Sequence, residues 1–128
     1  MYLQYAKKKT KEDILVNTTT CDLIGQWDGS PNKLIYGDNL VVLKTLLEKL
    51  NLGSKVDLVY IDPPFSTKRN FMIGSDRANT ISSSSQDVIA YRDNLSGGDF
   101  LEFLRERLVL IRELMSDKAS IYLHIDYK

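Results

Sequence analysis

Residues 58–65 have the sequence Leu-Val-Tyr-Ile-Asp-Pro-Pro-Phe, and the fold is organised around them. The run from Val56 to Ile61 is short and, apart from Asp57, apolar on both faces, which is typical of a strand buried in a parallel sheet. Asp62 then follows the carboxyl end of that strand, where open α/β sheets bind their ligands. The two prolines remove two backbone N–H donors, so the turn offers acceptors beside an aromatic ring. Such a turn suits a planar group that donates hydrogen bonds, such as an amino-purine.

Two further strands and two helices are predicted around this stretch. Residues 33–36 predict a strand that ends at Gly37 and Asp38, and leucines at helical spacing from residue 40 to residue 50 predict a helix with Gly53 as its stop. An apolar stripe over residues 100–115 predicts a second helix, and residues 121–125 predict a third strand. The order strand-helix-strand-loop-helix-strand indicates an α/β fold with parallel strands and right-handed crossovers.

Polar residues at the ends of these elements have more than one interpretation. Asp38 precedes a helix directly, so its carboxylate either meets a cofactor at the mouth of the sheet or caps the helix. Asp99 and Glu102 have the spacing of a capping box and predict the start of the second helix. His124, the single histidine, is interpreted as a structural residue at the sheet end rather than a catalytic base. The spacing of Asp, Glu, His and Cys predicts no metal site.

Length and composition set the outer limits. A chain of 128 residues has room for one domain with a core. Lys plus Arg and Asp plus Glu number 17 each, and this zero net charge argues against the chain holding nucleic acid unaided. The single Cys21 can form no internal disulfide, and no signal peptide or apolar span of membrane length is present, so a reduced cytoplasmic protein is expected. The basic cluster at residues 7–11 is expected to be a solvated face.

Four segments in order resemble the amino-group DNA methyltransferases, which methylate adenine N6 or cytosine N4 with S-adenosylmethionine. Residues 62–65, Asp-Pro-Pro-Phe, resemble the Asp-Pro-Pro-Tyr/Phe signature of that family. Residues 34–40, Leu-Ile-Tyr-Gly-Asp-Asn-Leu, resemble the segment upstream of the catalytic loop, residues 100–115 the Leu- and Arg-rich helix after it, and residues 120–126 the next strand. The catalytic motif comes first, as in the β-group of these enzymes.

The resemblance assigns roles to the residues of the motif. It implies that Asp62, Pro63, Pro64 and Phe65 are catalytic: the Asp62 carboxylate and the Pro63 carbonyl accept hydrogen bonds from the target amine, and Phe65 stacks on a base flipped out of the duplex. It also places Asp38 in the cofactor pocket. An Asp at the first position of the motif favours adenine over cytosine as the target.

The resemblance also implies a domain organisation. Residues 1–32 are expected to form an amino-terminal arm, and residues 33–128 part of a Rossmann-like, S-adenosylmethionine-dependent methyltransferase domain. Residues 66–98 are polar and predict a long mobile loop. In the related enzymes this loop closes near the DNA, so Lys68 and Arg69 are candidates for phosphate contact, although a solvated linker is an equally good interpretation of either residue.

One family feature is missing from the sequence. The related enzymes bind their cofactor with a Phe-x-Gly-x-Gly turn, and the seven glycines here are not in that arrangement. We therefore expect the amino-terminal part of a restriction-modification methyltransferase, inactive alone. Its expected partners are double-stranded DNA, the remaining half of the enzyme on the same or a second chain, and a cognate restriction subunit. The alternatives are a truncated remnant or partner-binding module and, less favoured, an RNA or protein-amide methyltransferase.

Overall fold

The computed structural model describes residues 3–25, 32–63, 70–74, 77–79, 88–92 and 97–125. In these ranges the chain forms three helices and five strands. They are, in order, α1 (Lys11–Asn17), α2 (Asn39–Glu48), β1 (Val56–Ile61), β2 (Asn70–Gly74), β3 (Arg77–Asn79), β4 (Val88–Arg92), α3 (Gly97–Leu114) and β5 (Met115–Leu123).

The central unit is the parallel pair β1 and β5. Their register runs from Leu58 opposite Ser120 to Ile61 opposite Leu123. Two parallel neighbours need a crossover connection, and α3 lies in the segment that joins them. The predicted strand at Val56–Ile61 is therefore confirmed, as is the α/β class, in the form of a small two-stranded parallel sheet.

The core lies between the helices and one face of this sheet. α2 and α3 pack on each other, and α1 packs on α3. The buried apolar side chains come mostly from α3 and the start of β5, with one from α1: Leu104, Leu110, Ile111, Leu114, Met115 and Ile14. The helical stripe predicted over residues 100–115 therefore forms the core of the described part of the chain.

The prediction that β1 is buried on both faces is wrong. Leu58 and Tyr60 are 63% and 71% exposed, and Tyr122, which lies opposite Tyr60 on β5, is also exposed. The helices cover one face only, and within the described residues no element lies on the other. We call the face that carries Leu58, Tyr60 and Tyr122 the open face.

Residues 33–36 form no strand, which corrects the prediction for that segment. Leu34 and Tyr36 are fully exposed. A strand needs a neighbouring strand to pair with, and residues 33–36 belong to neither of the two sheets formed by the described residues.

The segment predicted as a long loop, residues 66–98, contains regular structure in its described parts. β2 pairs antiparallel with both β3 and β4, in the order β3-β2-β4. The polar composition of the whole segment hid two short β-prone runs, Phe-Met-Ile at 71–73 and Val-Ile-Ala-Tyr at 88–91. The described parts therefore contain short strands where a loop is predicted, whereas the mobility of the segment and the division into arm and domain stay predictions.

Several predicted boundaries also move. α2 ends at Glu48 rather than near Gly53, and Asn51 takes the left-handed conformation of the following turn with φ of 52°. α3 begins at Gly97, so Asp99 lies in its first turn instead of capping it. β5 spans Met115–Leu123 rather than 121–125, because Met115 already pairs with Val56, ahead of a register shift and the continuous pairing from Ser120 to Leu123.

No helix in the described ranges is long and apolar enough to span a membrane.

Candidate functional site

Asp62 lies immediately beyond the carboxyl end of β1, as predicted, and His124 lies immediately beyond the end of β5. The backbone N–H of His124 donates to the carbonyl oxygen of Ile61 at 3.0 Å, so the parallel ladder continues past both strands. The His124 Nδ1 is 3.1 Å from Asp62 Oδ1, and the two side chains are about 60% exposed. A carboxylate without a proton only accepts hydrogen bonds, so the contact is a hydrogen bond in the tautomer that carries its proton on Nδ1.

A cavity of about 450 Å³ opens beside Asp62. Asp62 and Pro63 border it from the strand end, Asn39 from α2, and Phe103 and Arg107 from α3. Its walls are mainly apolar, with a few polar groups at the rim, and cavities of this size and character are typical of small-molecule sites. Four predicted site residues fall outside the described residues: Pro64, Phe65, Lys68 and Arg69.

Asp38 is the N-cap of α2. Its Oδ1 accepts a hydrogen bond from the backbone N–H of Leu40 at 2.9 Å and a second from Arg107 Nη2 at 3.1 Å. The capping interpretation is therefore confirmed. The side chain remains 61% exposed, so the cap and the predicted cofactor contact are compatible.

Arg107 is a site residue that the sequence interpretation missed. Its side chain is buried; Nε donates to Asn39 Oδ1 at 2.6 Å and Nη1 to the Phe103 carbonyl at 2.9 Å. The guanidinium also stacks 3.6 Å from the centre of the Phe103 ring. Burial lowers the pKa of Arg107, while the charges of Asp38 and Glu106 act in the opposite direction. The sequence contains an indication of this role, because residue 107 lies on the apolar stripe of α3 and a charged side chain at a buried position needs partners.

The basic cluster near the amino terminus is tied to α3 by ion pairs. Lys9 pairs with Glu106, and Lys11 with Glu113 at 2.7 Å. The Tyr5 hydroxyl donates to Glu102 at 2.6 Å. Both lysine side chains are about half exposed, so they contact solvent, as predicted, and also bind α3.

Among the described residues, no group of three or more His, Cys, Asp or Glu side chains is arranged to hold a metal ion.

Comparison with known proteins adds sequence relationships to this geometry. The family model described as DNA methylase matches residues 56–128. That range includes β1, the Asp-Pro-Pro-Phe motif, α3 and β5, so it contains the cavity wall built around Asp62. No solved structure shows a significant match.

The curated relatives to which the chain is similar include the following three. The type II methyltransferase M.EcaI of Enterobacter cloacae is 37% identical over 98 residues, covering 77% of this chain and 19% of that protein. The StyLTI Mod subunit, from a type III restriction-modification enzyme of Salmonella typhimurium, is 29% identical and covers 95% of this chain. The EcoP15I Mod subunit of the same enzyme type from Escherichia coli is 32% identical and covers 77%. The chain spans 17% to 21% of the length of these relatives.

Proposed function

Because this chain belongs to the DNA methylase family, we propose that it is the catalytic-motif part of a site-specific DNA methyltransferase. In this proposal a methyl group passes from S-adenosylmethionine to the exocyclic amine of a flipped base, with adenine N6 as the favoured target. The observation that carries the proposal is the position of Asp62 and Pro63, which lie at the carboxyl end of a parallel strand and border the 450 Å³ cavity.

The chemistry follows from the properties of the amine. The nitrogen lone pair of an amino-purine is delocalised into the ring, so the amine is a poor nucleophile. The Asp62 carboxylate and the Pro63 carbonyl would accept hydrogen bonds from its two N–H groups, which favours positive charge on nitrogen while its bond to the methyl carbon forms and the bond from that carbon to the donor's sulfur breaks. The N–H proton is then lost to the carboxylate or to water. Positioning and electrostatic stabilisation supply most of the rate.

S-adenosylmethionine would supply an electrophilic methyl group, and Asp38 is the residue here that fits it. Asp38 holds Leu40 and Arg107 through Oδ1, and within the described part of the chain Oδ2 accepts no hydrogen bond. That second oxygen can accept from a hydroxyl or amine of the cofactor. The glycine-rich turn expected for the rest of the cofactor is not in this sequence, so we propose that the remaining part of the enzyme provides it.

The open face supports a further part of the enzyme. An α/β sheet is normally covered on both faces, yet Leu58, Tyr60 and Tyr122 are exposed. We therefore propose that the remainder of the methyltransferase, on the same or a second chain, packs here. Double-stranded DNA is the proposed substrate. Because two of the relatives are Mod subunits of restriction-modification enzymes, a restriction subunit is a further proposed partner.

The test joins this chain to the remainder of the Enterobacter relative, in place of its matching region, to give a complemented enzyme. Transfer of tritiated methyl groups to duplex DNA is measured. The Asp62→Ala variant is expected to lose about 10²–10³-fold in kcat, the scale of losing one electrostatic contact at a reacting centre.

The matched control is Asp57→Ala in β1, since the Asp57 carboxylate accepts a hydrogen bond from the Ser116 hydroxyl at 2.6 Å and does not border the cavity. The control should keep kcat within about twofold. Full activity in Asp62→Ala would contradict the proposal. Parallel assays with RNA and with protein separate the rival methyl acceptors.

The second candidate is a remnant or partner-binding module without enzymatic activity. It is favoured by one observation, the zero net charge of the chain, because a protein that binds DNA usually carries an excess of basic residues. It predicts that the complemented enzyme binds no S-adenosylmethionine, which isothermal titration calorimetry measures directly. Micromolar binding would exclude it.

A further inference from the structure

We propose that His124 is a positioning residue for Asp62, holding one carboxylate oxygen so that the other faces the target amine. The inference rests on the proposed methyl transfer and adds a residue to its site. It starts from the 3.1 Å contact between His124 Nδ1 and Asp62 Oδ1.

The contact is a consequence of the sheet and not of a chance loop arrangement. Ile61 lies opposite Leu123 in the parallel register, so the next pair along the chain is Asp62 opposite His124. The bond from the His124 N–H to the Ile61 carbonyl fixes the two backbones at that point. Side chains at paired positions of adjacent strands project to the same face, which brings the imidazole to the carboxylate.

The carboxylate needs such a partner because it is more than half exposed. A free side chain at the surface samples several rotamers, and reacting groups displaced by about 1 Å can lose about 10²-fold in rate. Within the described residues, Asp62 forms its hydrogen bond through Oδ1. Donation from Nδ1 therefore fixes the side chain while leaving Oδ2 for the amine.

The first experiment tests the contact in the chain itself, without any methyl transfer. The chain has one histidine, so its imidazole ¹⁵N resonances need no further assignment. In the wild type we expect the neutral ring to carry its proton on Nδ1. In Asp62→Ala the ring should move toward the Nε2–H tautomer, whereas Asp57→Ala should leave the spectrum unchanged. Identical spectra for wild type and Asp62→Ala would overturn the inference.

The second experiment tests the role in the complemented enzyme with three variants. His124→Ala removes the donor, and we expect kcat to fall about 10–100-fold with KM for DNA unchanged within about twofold. His124→Asn places an amide N–H where Nδ1–H stood, so it should recover most of the lost kcat. His124→Gln places its amide at the position of Nε2 and should behave like His124→Ala.

The outcomes separate this inference from the proposed function. An active wild type with undiminished kcat in His124→Ala would overturn the inference alone, as would equal losses in His124→Ala and His124→Asn. A wild-type complemented enzyme that transfers no methyl group would overturn the proposed function and, with it, the positioning role of His124 in that reaction. The tautomer measurement would still decide whether the contact exists.

Discussion

Arg107 connects the two ends of the candidate site. Its guanidinium binds Asp38 and Asn39 at the start of α2 and stacks on Phe103, and it borders the cavity beside Asp62. A guanidinium is planar and has several N–H donors in fixed directions, so it can make these contacts at the same time, whereas the ammonium group of a lysine could not. The consequence is that the position of Asp38 depends on α3, the helix that also leads into the strand before His124.

Asp38 has two roles that a pair of substitutions can separate. Asp38→Asn keeps a side-chain oxygen for the Leu40 N–H and for Arg107 Nη2 but loses the charge beside the buried guanidinium, so the free energy of unfolding should fall by about 1 kcal/mol. Asp38→Ala loses both the cap and the contact with Arg107, so it should cost about 2–3 kcal/mol. If the carboxylate also binds the cofactor, both variants of the complemented enzyme should bind S-adenosylmethionine about tenfold more weakly.

Urea unfolding of the chain and calorimetry on the complemented enzyme provide the two measurements. Because Asn and Ala differ in capping but not in charge, equal losses of affinity assign the effect to the carboxylate. An Asp38→Asn variant that binds the cofactor as tightly as the wild type would leave Asp38 as a helix cap only.

At the scale of elements, α3 contacts three parts of the described structure: the core, α2 and the amino-terminal segment. One side supplies the core, Arg107 reaches α2, and three glutamates hold the segment from Tyr5 to Lys11. Glu102 illustrates how tertiary contacts displace a local pattern: the capping-box spacing from Asp99 is present, but Glu102 accepts from the Tyr5 hydroxyl and the Lys9 N–H instead. The amino-terminal segment is thereby anchored to the helix beside the site.

The anchoring contact at Tyr5 predicts a loss of stability at alkaline pH. Burial, and then the hydrogen bond and charge of Glu102, raise the pKa of Tyr5 from 10.0 to about 12. A raised pKa means that the folded state keeps the proton over a range where the unfolded chain has lost it. The stability from this group is therefore complete below pH 10 and is lost as the pH rises from 10 to 12.

The measurement is urea unfolding of wild type and Tyr5→Phe at pH 8, 10 and 11. At pH 8 the difference in the free energy of unfolding between wild type and Tyr5→Phe measures the contribution of the hydrogen bond alone. Between pH 10 and pH 11 the wild type should lose stability more steeply, so that the two proteins converge. Parallel curves over that interval would show that the Tyr5 hydroxyl is not held by Glu102.

Predictability from sequence differs among the elements for physical reasons. α2, α3 and β1 were predictable because a helical stripe or an apolar run maps directly onto one buried surface. Residues 33–36 carry a strand pattern, but forming a strand depends on a neighbour that periodicity does not reveal. The start of β5 shows the reverse, since Met115 pairs with Val56 and a register shift then brings Ser120 opposite Leu58, so that the strand includes residues 116–119, which carry no strand pattern.

The residues of the site also differ in how far the sequence alone predicts them. Asp62 was predictable because its place depends on one strand and one turn, and Asp38 because a helix begins beside it. His124 was placed inside the strand and given a structural role, and its partner depends on the register of two strands 62 residues apart in sequence. Arg107 required knowing which face of α3 meets α2. Sequence therefore indicated the single elements of the site, whereas contacts between elements required the fold.

At the scale of the whole molecule, the open face leaves apolar side chains of the parallel sheet in contact with solvent. Exposed apolar groups line one side of the parallel pair, and a leucine buried on association contributes roughly 1.5–3 kcal/mol. We expect the remainder of the enzyme, supplied as a separate polypeptide, to bind this face. Leu58→Lys should weaken that binding by tenfold or more, because the lysine charge would have to be buried without a partner.

The stability of the isolated chain should change little in the Leu58→Lys variant. Leu58 is 63% exposed, so the free energy of unfolding of Leu58→Lys should stay within about 0.5 kcal/mol of wild type. The matched control is Leu3→Lys, an equally exposed leucine on the amino-terminal segment, which should leave binding unchanged. Calorimetric titration of each variant with the remainder gives the affinities. Equal affinities for wild type and Leu58→Lys would show that the rest of the enzyme lies elsewhere, because a lysine in the centre of the contact surface would have to lower them.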